Sequence, residues 1–138
     1  MKDLNNKVAL LTGASSGIGA VIANLLAQEN VTVVGVARSK SGLNNTKSII
    51  ENLGGEFHGI PFDISQTSKL SELKVQVTNA IGEVDILINN AGIEEYNYFQ
   101  DYDLKYIEKI IRVNLIAGME LTRQFLPQML DRGGHIVN

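Results

Sequence analysis

Val8-Ala-Leu-Leu-Thr-Gly-Ala-Ser-Ser-Gly-Ile-Gly-Ala20 is the stretch that decides the fold of this 138-residue chain. Its apolar beginning, residues 8–11, predicts a buried parallel strand, and the pattern over residues 20–29 predicts a helix. The glycine-rich segment between them is therefore a turn from a strand into a helix. Such a turn brings backbone N–H groups and the positive end of a helix dipole to one point, which suits a phosphate group. An ordinary loop that uses glycine only as a helix breaker is the alternative.

Three glycines of this turn have separate tasks if the turn binds a pyrophosphate. Gly13 allows a tight exit from the strand, and Gly17 lets the pyrophosphate approach the backbone without meeting a Cβ atom. Gly19 lets the helix pack closely on the sheet. The spacing of the glycines thus predicts a nucleotide-binding turn.

Composition and charge exclude several classes of protein. The chain is 44% hydrophobic and 20% charged, which is typical of a globular domain. Its net charge of −3 offers no basic surface for nucleic acid, so we expect no such partner. It has no cysteine, which leaves no thiol nucleophile and no cysteine-based metal site and fits a reducing, cytoplasmic location. We also expect no membrane partner, because the N-terminus is polar and no apolar run is long enough to span a bilayer.

Strand-like and helix-like segments alternate along the rest of the chain. Further strands are predicted at 31–37, 56–63, 84–89 and 135–138, and helices at 43–53, 66–81 and 103–130. This alternation predicts an α/β fold with a doubly wound parallel sheet of about five strands and helices on both faces. Ligands of such sheets bind beyond the carboxyl ends of the strands. The polar residues at those ends are Thr12, Arg38, Asp63, Asn89 and Asn90.

Several motifs follow one another in a fixed order between residues 7 and 138. They are Thr12-Gly-Ala-Ser-Ser-Gly-Ile-Gly19, Asp63, Asn89-Asn-Ala-Gly92, Val113-Asn114 and Gly134-His-Ile-Val-Asn138. Together they resemble the short-chain dehydrogenase/reductase family. The resemblance implies a Rossmann-type fold and hydride transfer between a nicotinamide cofactor and a small alcohol or carbonyl substrate.

The resemblance also implies roles for individual residues. The implied cofactor-binding residues are Gly13, Ser15, Ser16, Gly17, Ile18, Gly19, Arg38, Ser39, Asp63, Ile64, Asn90, Ala91 and Gly92. Asp63 and Ile64 resemble the adenine contacts, and residues 90–92 resemble the segment along the adenosine. Asn114 resembles the catalytic-site asparagine whose main-chain carbonyl holds a water in the proton relay. From the residues alone, the alternatives are a strand-end turn for Asp63, a loop start for residues 89–90 and a buried, hydrogen-bonded structural amide for Asn114.

The end of the second predicted strand favours NADP(H) over NAD(H). An NAD site usually places a carboxylate there to accept from the ribose 2′-hydroxyl, whereas an NADP site removes that charge and offers an arginine to the 2′-phosphate. Ala37 occupies the expected acid position, and Arg38 and Ser39 follow it. Arg38 as a solvated loop cation is the alternative.

The family's remaining catalytic residues would follow the fifth strand. A serine and a Tyr-x-x-x-Lys are implied there, and the sequence stops at Asn138, so we expect residues 1–138 to be an NAD(P)-binding Rossmann domain that is truncated at its C-terminus. The Tyr-x-x-Lys pairs at 102/105 and 106/109 are one residue short and precede that strand, so they are interpreted as a solvated helix face. His58 and His135 are isolated and are interpreted as structural, and no metal site is expected.

Two functions from different classes stay open at this point. The first is an NADP(H)-dependent oxidoreductase represented by its N-terminal portion. The alternative is a catalytically inert nucleotide-binding or assembly module that is complete at 138 residues. A flavin or phosphate binder of flavodoxin type is a weaker third hypothesis, against which the Asn89-Asn-Ala-Gly92 motif counts.

The predicted helix at 103–130 is apolar on two sides. One side packs on the sheet, and the other needs a second cover, which predicts a homo-oligomer formed through this helix. In the loop before it, Tyr96, Tyr98 and Phe99 either line part of a substrate pocket or pack structurally.

Overall fold

Five parallel strands form a single sheet in the computed structural model, which describes residues 4–138. The strands are β1 (Val8–Thr12), β2 (Thr32–Ala37), β3 (Phe57–Pro61), β4 (Ile86–Ile88) and β5 (His135–Val137). The helices are α1 (Gly17–Gln28), α2 (Lys40–Asn52), α3 (Leu70–Ile81), α4 (Leu104–Ile111) and α5 (Ala117–Arg132). The predicted α/β fold with about five parallel strands is confirmed.

The order of the strands in the sheet is β3-β2-β1-β4-β5. The chain builds outward from β1 in one direction and then returns to build outward in the other. A crevice therefore opens where the order reverses, beyond the carboxyl ends of β1 and β4. The glycine-rich turn follows β1 and lies at this crevice.

Two apolar layers cover the two faces of the sheet. Leu10 contributes to the layer under α3 and α5, while Ala9 and Leu11 contribute to the layer under α1 and α2. All three side chains are fully buried. Strands of a parallel sheet are covered on both faces, which is why residues 8–11 form a continuous apolar run without alternation.

The helix predicted at 103–130 has the right extent but is not uniform. Between α4 and α5, residues Arg112–Ile116 form a π-helical turn, in which the Ala117 N–H donates to the carbonyl of Arg112, five residues earlier. Such a turn holds one more residue than the α-helical spacing, so the apolar periodicity of the sequence did not reveal it. Asn114 lies within this turn.

One side of α5 faces the core and another side of the same helix faces solvent. Ala117, Leu121 and Phe125 are buried against the sheet. The exposed apolar face comprises Ile111, Leu115, Ile116, Met119, Leu126 and Leu130, which run along α4, the π-helical turn and α5. This face is the second apolar side that the sequence predicts.

Candidate functional site

A cleft of about 760 Å³ lies at the crevice where the strand order reverses. Its wall contains all of the predicted cofactor-binding residues except Gly17. The other lining residues are Val36, Ala37, Phe62, Ile93, Lys109 and Val113. The fold therefore brings together segments that are more than fifty residues apart in the sequence.

The glycine-rich turn is compressed between β1 and α1. Gly13 has a φ of +75°, a conformation that favours glycine, and a Cβ atom at Gly19 would lie 2.1 Å from the carbonyl oxygen of Gly13. Only a residue without a side chain fits at Gly19. The close approach brings the N-terminus of α1, whose first N–H groups have no partner within the helix, to the cleft wall. Gly17 begins α1 with a φ of +54° and a Cβ there would meet nothing within 4 Å.

The turn is tied to the end of β4 by a pair of side chains. The Asn90 amide nitrogen donates to the carbonyl of Thr12 over 3.0 Å, and the Ala91 N–H donates to the Thr12 hydroxyl, also over 3.0 Å. Thr12 is 1% exposed and its hydroxyl donates in turn to the carbonyl of Ile88. Asn90 is thus more than a loop start, because it lines the cleft and its side chain bonds the end of β4 to the end of β1. The role of Thr12 was not predicted, although its position beside Gly13 was the available signal.

Asn114 holds the C-terminal end of the segment formed by residues 91–93. Its side-chain oxygen accepts from the Ile93 N–H and its amide nitrogen donates to the Ile93 carbonyl, each over 2.9 Å. Asn114 is exposed, so it is not buried as the structural alternative required, although its amide is fully hydrogen-bonded to the backbone as that alternative also implied. Asn114 does not line the cleft itself, whereas the preceding Val113 does.

The end of β2 and the start of α2 form a positively charged corner of the cleft. Arg38 is exposed, and within the described residues it takes part in no ion pair. Ser39 caps α2, because its hydroxyl accepts from the Gly42 N–H over 3.0 Å. Ser15 and Ser16 of the glycine-rich turn lie on the same wall. This corner can accept an anionic group.

Asp63 and Ile64 follow the third strand and also line the cleft. The carboxylate of Asp63 accepts from the Ser65 N–H over 3.0 Å, so the turn that the sequence offered as an alternative is present. Ile64 is 8% exposed and belongs to the core layer. Asp63 is both a turn residue and a wall residue.

Lys109 lines the cleft, although the sequence predicted only a solvated helix face for it. It lies on α4, one helical turn before Val113, so both residues occupy the same side of that helix. The four-residue spacing between Lys109 and Val113 is the feature of the sequence that could have indicated that both residues face the cleft. With Arg38, it gives the described part of the cleft two cations against the single carboxylate of Asp63.

The tyrosines of the long loop and of α4 stay outside the cleft. Tyr96 and Tyr98 are exposed and do not line it. Tyr102 stacks on Tyr106 with ring centroids 5.5 Å apart and donates its hydroxyl proton to the carbonyl of Glu95. Desolvation and the neighbouring Glu95 raise the pKa of Tyr106.

The two histidines also lie away from the cleft. His58 pairs with Glu56 over 2.8 Å, and this hydrogen bond lowers the pKa of Glu56. His135 lies in β5 at the edge of the sheet. Neither lines the cleft.

Comparisons with known proteins identify the class to which this fold and cleft belong. The family model described as short chain dehydrogenase matches residues 7–138, and the chain belongs to that family. The resemblance seen in the motifs is therefore confirmed.

Individual relatives agree with this assignment. The ketoacyl reductase HetN of Nostoc sp. is 50% identical over 139 residues, which cover 100% of this chain and 48% of that protein. A metagenomic short-chain oxidoreductase solved in complex with NADP has a TM-score of 0.91 and 34% identity, covering 97% of this chain and 62% of that one. The L-sorbose reductase of Gluconobacter frateurii, solved with NADPH and L-sorbose, has a TM-score of 0.89 and 29% identity, covering 97% of this chain and 52% of that one. The chain spans about half the length of the curated relatives it matches.

Residues 4–138 offer neither a membrane-spanning helix nor a cluster of metal ligands. None of the helices in that range combines the length and the apolar character that crossing a membrane requires. In the same range, no three His, Cys, Asp or Glu side chains are grouped so that they could hold a metal ion.

Proposed function

We propose that this chain binds a nicotinamide dinucleotide in the cleft and serves an oxidoreductase that interconverts an alcohol and a carbonyl compound. The proposal depends mainly on the close approach of Gly19 to Gly13. Because neither residue has a side chain, the N-terminus of α1 stays open to a pyrophosphate. When bound, the nicotinamide supplies the hydride that reduces a carbonyl, or accepts it in the reverse direction. The chain's own residues bind and orient the dinucleotide.

The proposed contacts divide the cleft among the parts of the cofactor. Backbone N–H groups at residues 17–19 bind the pyrophosphate, and Asp63 with the backbone of Ile64 binds the adenine. Residues 90–92 lie along the adenosine. Each of these segments except Gly17 lines the cleft, which supports the division.

NADP(H) is the proposed cofactor in preference to NAD(H). Arg38 is exposed at the corner of the cleft and has no competing ion pair among the described residues. Ala37, half-buried at the end of β2, presents no carboxylate that would repel a 2′-phosphate. A guanidinium there binds the phosphate with charge-assisted hydrogen bonds.

Asn114 is proposed as the one member of the catalytic set within this chain. Its side chain is committed to the backbone of Ile93, which leaves the main chain of the π-helical turn as the part that acts. We propose that its carbonyl holds a water through which a proton reaches the substrate site. The serine and the Tyr-x-x-x-Lys implied by the family are proposed to lie in a portion beyond residue 138, and the coverage of about half of the relatives supports this.

Self-association through the exposed apolar face is proposed for the same protein. This face also favours the second candidate function, an inert assembly module complete at 138 residues. The intact mass of the native protein separates the two, since the module would weigh 15.0 kDa and show no turnover. The cysteine-free composition supports a cytoplasmic location.

Cofactor titration of the native protein and its Arg38→Gln variant tests the proposal. We expect the native protein to bind NADPH at least about tenfold more tightly than NADH, since a hydrogen bond to a charged group contributes about 1.5–3 kcal/mol. In Arg38→Gln, NADPH should bind about tenfold more weakly and NADH almost as before. Nicotinamide fluorescence is a suitable measurement, and Lys47→Gln removes a positive charge from the exposed side of α2 as a control.

Each contrary result has a distinct meaning. Equal affinity of the native protein for NADPH and NADH would contradict the preference for NADP(H) alone. Absence of binding by a folded protein would contradict the nicotinamide site as a whole.

A further inference from the structure

Thr46 is a buried hydroxyl that the proposed contacts do not use. It lies in the middle of α2, is 3% exposed, and is one of two buried polar side chains in residues 4–138, the other being Thr12. A buried hydroxyl needs a hydrogen-bond partner. The partner is the carbonyl of Ala14, which its hydroxyl donates to over 3.0 Å. A helix on one face of the sheet is thus bonded to the glycine-rich turn.

Gly42 makes a second contact between the same two elements. It precedes Thr46 by one helical turn and so lies on the same side of α2. A Cβ atom at Gly42 would lie 2.8 Å from both the Cβ and the carbonyl oxygen of Ser15. Helix α2 therefore touches the turn with no space between them, and a side chain at Gly42 would push them apart.

The two contacts hold the turn at Ala14 and Ser15 on the side that faces α2. Among the described hydrogen bonds, the one from Thr46 is the only one that the Ala14 carbonyl accepts. On the strand side, the N–H groups of Gly13 and Ala14 donate to the carbonyl of Val36 over 2.8 and 3.3 Å. On the helix side, Thr46 and Gly42 hold the Ala14 carbonyl and Ser15. The turn is therefore held by backbone hydrogen bonds on the side of the strands and by the Thr46 bond and the close packing of Gly42 on the side of α2.

We propose that Thr46 and Gly42 are positioning residues that set the specificity of the cleft for a 2′-phosphorylated cofactor. This inference rests on the proposed binding of NADP(H). The charged corner is built from two elements, with Ser15 and Ser16 on the turn and Arg38 and Ser39 at the start of α2. A phosphate held between them needs a fixed separation, and the contact of α2 with the turn is what fixes it. Thr46 and Gly42 do not line the cleft and act only through this separation.

A positioning role of this kind affects one cofactor more than the other. NADPH uses the charged corner, whereas NADH lacks the 2′-phosphate and depends on the N-terminus of α1, which Gly13 and Gly19 position. Loss of the bond between Thr46 and Ala14 should therefore weaken NADPH binding selectively. A purely structural role would reduce the stability of the protein and weaken both cofactors alike.

The deciding experiment measures both dissociation constants in the native protein and in Thr46→Val, which keeps the shape of the side chain and removes the hydroxyl. We expect the ratio of the NADH to the NADPH dissociation constant to fall by about three- to tenfold, as loss of one hydrogen bond predicts. Thr46→Ser should restore the ratio. Ser48→Ala is the matched control, because Ser48 lies on the exposed side of the same helix and bonds only the carbonyl of Asn44 among the described groups.

Gly42→Ala provides a second route if Thr46→Val does not fold. Alanine favours the helix itself, so the expected fall in the ratio would come from displacement of the turn and not from loss of helix. An unchanged ratio in these variants, with the native protein still preferring NADPH, would overturn this inference and leave the proposed function standing. A native protein that binds neither cofactor would overturn both.

Discussion

At the scale of single residues, the amide side chains of Asn90 and Asn114 serve the same segment from two sides. Asn90 binds the carbonyl of Thr12, and Asn114 binds both backbone groups of Ile93. Residues 91–93 are therefore suspended between the glycine-rich turn and the π-helical turn. An amide suits this task because it can donate and accept at once. The segment forms part of the cleft wall, so its position affects whatever the cleft binds.

Removal of the Asn114 side chain should separate activity from stability. In Asn114→Ala the two backbone groups of Ile93 lose their partners, but both are near solvent, so we expect a loss of only about 1 kcal/mol in the free energy of unfolding. The turnover number of the native protein should fall about 10- to 100-fold, because the proposed proton relay loses its geometry. Steady-state kinetics and urea denaturation measure the two effects. Asn45→Ala, on the exposed surface of α2, is the control, and an unchanged turnover number would contradict the role given to Asn114.

At the scale of elements, α5 is stabilised at its surface by a cluster of three side chains. The Glu120 carboxylate accepts two hydrogen bonds from the Arg123 guanidinium, both over 2.7 Å, and a third from Gln124 over 2.8 Å. These bonds, those from Arg123 first, lower the pKa of Glu120 to about 2 from an ordinary value of 4.5. The helix thus carries a charge that persists in mild acid.

This cluster makes the stability of α5 dependent on pH in a defined direction. Because the pKa of Glu120 is lower in the folded chain than in the unfolded chain, its contribution is complete above about pH 4.5 and disappears as the pH falls toward about 2. Glu120→Gln should therefore be less stable than the unmodified protein at neutral pH, by less than about 1 kcal/mol since the pair is at the surface. The difference should vanish across that acidic range. Urea denaturation at a series of pH values measures it.

A second variant checks the origin of this effect. Arg123→Gln removes the donor of the two shortest bonds to Glu120. The difference in stability between Arg123→Gln and the unmodified protein should show the same dependence on pH as the difference for Glu120→Gln. A difference between Glu120→Gln and the unmodified protein that stays constant down to pH 2 would contradict the assignment to the carboxylate.

The elements also show which features were predictable from the sequence. The strands were predictable because burial on both faces of a parallel sheet leaves continuous apolar runs such as residues 31–37. The cleft residues were predictable because strand ends and glycine spacing are visible in the sequence. The π-helical turn was not, since one additional residue hardly changes an apolar pattern. Thr46 was not, since its partner Ala14 lies 32 residues away and only the tertiary packing brings them together.

At the scale of the whole molecule, the exposed face along α4 and α5 is an apolar feature that the sheet does not cover. Leu115 is 52% exposed and Met119 is 64% exposed. A contiguous apolar surface of this kind is typical of a contact with another chain or segment. Its position on the long helix also places it close to Asn114, so that a covering partner would restrict the π-helical turn.

We expect the isolated 138-residue chain to self-associate through this face. Light scattering after size-exclusion chromatography should give a mass of at least twice 15.0 kDa. Substitution of both Leu115 and Met119 by glutamate should shift the mass toward the monomer, because burial of two carboxylates is unfavourable. Leu53→Glu, at an exposed position beyond α2, is the control. A monodisperse, thermally stable monomer of the unmodified chain would contradict this prediction.

The reversal of strand order at β1 has a consequence for the nascent chain. The strands β1, β2 and β3 lie within residues 8–61, whereas Asn90 reaches back over 78 residues to Thr12. Because the N-terminal part leaves the ribosome first, three of the five strands can pair before β4 has been synthesised. One edge of β1 then has no neighbour, and an unpaired edge is a site for aggregation. Translation between residues 61 and 90 is accordingly the interval in which a chaperone would be needed most.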